Sequence, residues 1–152
     1  MRRLLFAASL LLAAVVFAKP WHGLEPGVST REDVIKNFGL PSKILVSKDG
    51  KETLGYFGPK AIKATSQAQF KIDNDKKIER IDVFPATPIK RETIVDGYGP
   101  ECPEGVLPEE ACFVKKKTDD NREYIHYVRI GVAVFFKADG SVQSMVFTPM
   151  KK

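Results

Sequence analysis

Histidine is scarce in this 152-residue chain, where only His22 and His126 occur. Two imidazoles so far apart in sequence cannot build a three-histidine zinc centre or the helix-borne pair of a metalloprotease. They also leave a serine or cysteine nucleophile short of its usual base, which is a histidine backed by an acid. No G-x-S-x-G elbow and no glycine-rich phosphate loop is present. The carboxylate neighbours Asp119 and Asp120, and Glu109 and Glu110, sit in turns, where adjacent side chains diverge into solvent rather than face each other as acid and base. These absences argue against an enzyme, and they imply neither a cofactor nor a metal.

Long apolar runs and strong charge are missing as well. One apolar stretch, Leu4 to Ala18, is interrupted only by Ser9, follows Arg2 and Arg3, and gives way to Lys19. At about 15 residues it is shorter than the roughly 20 that a membrane-spanning helix needs. With its charged start and the small-residue pattern of Val16 and Ala18, it reads as a secretory signal peptide over residues 1–18, cleaved after Ala18. The first cysteine is Cys102, so no lipid-bearing cysteine stands at the cleavage point. The mature chain is therefore expected to be periplasmic or secreted, with no stable membrane anchor once the signal is gone. Cleavage takes the formal charge from +5 to +3, with 22 Lys plus Arg left against 19 Asp plus Glu. So mild an excess does not suggest nucleic acid. The basic cluster Lys115 to Lys117 runs at once into Asp119 and Asp120 and reads as a solvated hairpin tip.

Residues 19–152 fit a single domain, large enough to bury a self-sufficient core. Its two cysteines, Cys102 and Cys112, are separated by a stretch in which Pro103, Gly105 and Pro108 let the chain double back. In an oxidising compartment they are expected to form a disulfide. Closing a loop of about 11 residues stabilises the fold by roughly 3 kcal/mol in the chain-entropy picture. A redox pair and a metal site are the alternatives; the first lacks the Cys-x-x-Cys spacing and the second lacks a nearby histidine.

The chain repeats itself weakly. Arg31-Glu32-Asp33-Val34-Ile35-Lys36-Asn37-Phe38-Gly39 returns sixty residues later as Arg91-Glu92-Thr93-Ile94-Val95-Asp96-Gly97-Tyr98-Gly99, and Phe70-Lys71-Ile72-Asp73 returns as Phe136-Lys137-Ala138-Asp139. Each copy opens with a short helix. In the first, Ser29 and Glu32 form a capping box, Gly39 ends the helix and Pro41 blocks continuation. Val34, Ile35 and Phe38 make one apolar stripe, repeated by Ile94, Val95 and Tyr98, with Pro88 in the first turn of the second helix. β-rich runs follow: 43–47, 52–57, 67–72 and 77–84, then 113–117, 123–128, 130–137 and 142–148. Asp49-Gly50 marks a hairpin whose two central residues need positive φ. The stretch 58–66, with Lys60, Ile62 and Lys63, and the loop 100–112 are irregular insertions; the first has room for a helical turn. The expected fold class is α+β, as two tandem helix-plus-four-stranded antiparallel repeats, about 23–86 and 87–150, forming one sheet with the helices on one face.

Candidate binding residues are few. Tyr124 and His126 lie on one strand face and could anchor a partner, or could simply cover the sheet edge. A recognition surface there needs Tyr56 or Phe57 of the first copy close by. Trp21, beside His22 at the mature N-terminus, either docks on the sheet or extends into solvent. Asp49, at a hairpin tip, is a further candidate.

The helix Gly27-Val28-Ser29-Thr30-Arg31-Glu32-Asp33-Val34, ending in Phe38-Gly39-Leu40-Pro41 and followed by antiparallel strands, resembles the SmpA/OmlA (BamE-like) small envelope proteins. Two such units in tandem resemble the fold of the β-lactamase inhibitory protein. The chain departs from the lipoproteins by lacking their lipid-bearing cysteine, and from the inhibitor by having one cysteine pair rather than one per repeat. The resemblance implies a non-enzymatic module that binds an envelope or extracellular protein. The alternative is a carrier of a small amphiphile or lipid, in an apolar cavity lined by residues such as Ile62, Phe70 and Phe136.

Overall fold

The computed structural model describes residues 21–105 and 111–151. The signal peptide expected over residues 1–18 lies outside them, as do Pro108 and the Glu109 and Glu110 pair. In chain order the elements are α1 (Arg31–Phe38), β1 (Lys43–Val46), β2 (Glu52–Phe57), a 3-10 turn (Gly58–Lys60), β3 (Thr65–Ile72), β4 (Ile78–Pro85), α2 (Arg91–Tyr98), β5 (Val114–Lys117), β6 (Glu123–Tyr127), β7 (Val132–Phe136) and β8 (Val142–Phe147). All eight strands join one antiparallel sheet in the order β1-β2-β3-β4-β8-β7-β6-β5.

This corrects the expected fold class. The chain is not built as two tandem helix-plus-four-stranded repeats; its described residues form one eight-stranded sheet carrying two helices of eight residues each. The physical reason lies at the middle of the sheet. β4 pairs with β8 through Ile81 with Phe147, Asp82 with Val146 and Val83 with Met145. That ladder satisfies backbone groups that either half alone would leave at an open edge, so no unit boundary divides the sheet.

Side-chain alternation splits the sheet into two faces. Leu54, Phe70, Ile81, Phe147, Val132 and Tyr127 form one cross-strand row, each at most 1% exposed. Both helices lie on this face. α1 sets Val34 into the core and stacks Phe38 edge-on against Tyr56, ring centroids 5.9 Å apart; α2 buries Ile94 and brings Tyr98 to 5.4 Å from Tyr127. Val34 and Ile94 each contribute about 1.5–3 kcal/mol by burial. The hydroxyls of Tyr56 and Tyr127 donate to the carbonyls of Gly39 and Gly99, both at 2.8 Å, and so satisfy a backbone acceptor just past each helix.

Helix starts differ from the sequence reading. Thr30, not Ser29, caps α1: its Oγ1 accepts from the Asp33 amide at 3.3 Å, and Asp33 Oδ2 accepts from the Thr30 amide at 2.8 Å. Ser29 is buried instead, and its Oγ accepts from the Glu25 amide. α2 has no side-chain cap, and Pro88 lies ahead of the helix rather than in its first turn, because Lys90 is still held in a bridge with Ser141.

Four hairpin turns share one geometry. In each, an amide three residues on bonds back to the turn's first carbonyl, and the residue carrying that amide is left-handed: Gly50 (φ 81°), Lys76 (62°), Asn121 (63°) and Gly140 (82°). At the first turn, therefore, only Gly50 takes positive φ and Asp49 does not, as in a three-residue loop closed by a glycine bulge. Cys102 and Cys112 form the expected disulfide, with Cα atoms 4.8 Å apart. It ties the segment after α2 to the start of β5, next to the bridge between Glu101 and Phe113.

Candidate functional site: the uncovered face of the sheet

The face opposite the helices is covered by no helix or strand among the described residues. One row on it runs Lys43, Gly55, Gln69, Asp82, Val146, Ala133, His126, Val114 across all eight strands. A second carries the aromatics. Phe57 pairs with Gln67, which pairs with Phe84; continuing the register sets Phe84 beside Ser144, then Phe135, Tyr124 and Lys116. Tyr124 stacks on Phe135 at 4.8 Å with an interplanar angle of 21°, and the Arg122 guanidinium lies 5.9 Å from the Phe135 centroid. Phe84, Phe135 and Tyr124 are half-buried and Phe57 is exposed, so the row presents ring faces and edges to solvent.

The candidate residues separate on this frame. Tyr124 and His126 both stand on the uncovered face, their rings 6.4 Å apart. Phe57 stands there too, but five strand steps from Tyr124, about 24 Å along the row, so the two do not make one compact patch. Tyr56 is on the other face and fully buried beneath α1, which removes it from any surface site. Trp21 docks on the core face, 5.8 Å from both Phe38 and Phe70. Asp49 is at the exposed hairpin tip, where the Ser47 hydroxyl donates to it and holds its carboxyl below the usual range, so its first role is to close the turn.

Two polar atoms on this face are enclosed without a hydrogen-bond partner among the described residues: Asp82 Oδ2 and His126 Nδ1. Asp82 is 8% exposed and binds Arg80 through Oδ1 only. Burial, followed by the nearby Lys116 and Lys151 charges, pushes the His126 pKa down. Asp82 and His126 share a row but are three strand steps apart, about 14 Å, beyond the reach of an acid and base pair. Phe84, Phe135 and Asp82 were missed in the sequence, although strict alternation along Ile81-Asp82-Val83-Phe84 places Asp82 and Phe84 on the same side. Among the residues named for an apolar cavity, Ile62 and Phe70 are packed in the core, and Phe136 lies beneath the Arg91 guanidinium at 4.9 Å. Among the described residues no group of histidine, cysteine and carboxylate side chains could hold a metal, and no helix is long and apolar enough to cross a membrane.

No family model and no curated protein matches the chain. A solved structure of a DUF4309 family protein, YjgB from Bacillus subtilis, is similar at 16% identity and a TM-score of 0.49, over 84% of this chain and 83% of that one.

Proposed function

We propose that the chain is an exported, non-enzymatic module that binds an envelope or extracellular protein through the uncovered face of its sheet, in the manner of the BamE-like proteins it resembles in its first helix. The carrying observation is the aromatic row Phe84, Phe135 and Tyr124 on a face that no helix or strand covers among the described residues, with Lys116 and Arg122 beside it. Rings with two χ angles lose little rotamer entropy on contact and are the residues that anchor interfaces. Arg80 is paired to Asp82, and Asp49 and Glu79 line the same hollow as Lys71, which leaves Lys43 and Lys116 towards the two ends of the face to meet acidic groups of a partner. A disulfide between Cys102 and Cys112 fits a periplasmic or secreted location.

Affinity capture from envelope extract at physiological salt tests the reading. A partner retained by the native chain is expected to be lost by a Tyr124→Ala/Phe135→Ala double variant, with affinity falling at least about 30-fold for two anchoring rings. Equal retention by both proteins would place the contact elsewhere. Sequencing the N-terminus of the exported protein is expected to begin at Lys19.

A further inference from the structure

We propose that β1 is the seam of a symmetric dimer, to which a second copy of this chain adds its own β1 antiparallel, extending the sheet across the edge.

The two edges of the sheet are unlike. β5 reads Val-Lys-Lys-Lys, and a row of lysines resists strand addition. β1 reads Lys-Ile-Leu-Val, with Ile44, Leu45 and Val46 exposed by 43%, 53% and 67%. Three consecutive exposed apolar residues on an edge strand are the feature that sheet edges ordinarily avoid.

The ladder fixes which backbone groups are free. The Ser47 amide donates to the Lys51 carbonyl at 2.9 Å, and Leu45 and Lys43 stand opposite Thr53 and Gly55. Because bonded positions alternate, Lys43, Leu45 and Ser47 direct their main-chain groups to β2, and Ile44 and Val46 direct theirs to the open edge. A two-fold axis through Leu45 then sets Ile44 opposite Val46 of the second copy, and the reverse, forming four main-chain hydrogen bonds. On the helix side, Ile44 and Val46 meet Val46 and Ile44 of the second copy. On the uncovered side, Leu45 meets its own equivalent. The same register sets Lys43 opposite Ser47 of the second copy, once on each side of the axis, ahead of the turn that carries Asp49. Head-to-tail pairing of β1 with β5 would instead place Lys43 among Lys115, Lys116 and Lys117, and would propagate rather than close. Self-pairing is the arrangement in which every apolar side chain of the edge gains an apolar neighbour.

Sedimentation equilibrium of the exported chain from about 1 µM to about 1 mM is expected to show a monomer–dimer equilibrium. Leu45→Lys sets like charges opposite each other on the axis and is expected to weaken the dimer at least about tenfold, whereas Lys117→Glu on the other edge leaves it dimeric. Leu45→Cys is expected to form a disulfide between copies, because opposed non-bonded pairs have Cα atoms about 4.5 Å apart. Val46→Cys is not, since its equivalents lie beyond the roughly 7 Å limit for a bridge. A monomer at every concentration, a Leu45→Lys dimer as tight as the native one, or bridging at position 46 rather than 45 would overturn the proposal.

Discussion

Tyr56 and Tyr127 each spend one buried hydroxyl on a glycine carbonyl past a helix end, and that single bond positions the helix over the sheet. Tyr56→Phe and Tyr127→Phe keep the ring packing and remove only the bond, so each is expected to cost about 1 kcal/mol in urea unfolding. Burial pushes the Tyr127 pKa up to about 12, so its hydroxyl stays protonated as the donor at neutral pH. His126 contributes pH dependence near neutrality. Its folded-state pKa lies below the ordinary 6.5, so the unfolded chain takes up a proton first as pH falls. The stabilisation from a neutral His126 is complete above about 6.5 and is lost progressively below it, down through the folded value. Replacing His126 by Gln is expected to flatten the slope of stability against pH just below about 6.5; an unchanged slope would assign the acid limb to other groups. The adjacent pair Tyr56 and Phe57 shows what alternation can and cannot deliver. Leu54 and Tyr56 share a parity and face the core, which the run Glu52 to Phe57 allows to be read, but which parity faces inward is set by α1 packing above it.

Elements were legible where local chemistry decides them. Each strand lies within two residues of a β-rich run, and both helices end at the expected glycine. The α1 cap falls one residue later than expected because two adjacent residues, Ser29 and Thr30, each have an acid three positions on; a local turn with Glu25, four residues back, claims the first and leaves the second to cap. The disulfide acts at this scale too. It holds the segment after α2 against β5, where the Cys102 amide donates to the Phe113 carbonyl at 2.9 Å. Cys102→Ser/Cys112→Ser is expected to lower unfolding free energy by roughly 3 kcal/mol with the sheet retained, as followed by thermal unfolding with and without reductant. A loss near zero would mean the loop is equally constrained without the bond.

At the scale of the molecule, the junction of β4 with β8 joins two halves of the chain more than sixty residues apart and turns them into one sheet. Such pairing depends on matched surfaces at long range, which no window of sequence contains; this is why reading the chain as two repeats gave the wrong architecture. The same pairing creates the aromatic row, because Phe84 comes from one half and Phe135 with Tyr124 from the other. The site was therefore readable only as scattered residues. Its use as a binding face is tested most directly by placing a photo-crosslinking phenylalanine at Phe135, and separately at Lys36 on the exposed side of α1, in cells that export the chain. The account expects a discrete protein adduct from position 135 and none from position 36. Adducts from position 36 alone, or none from position 135 in an exported and folded chain, would contradict it.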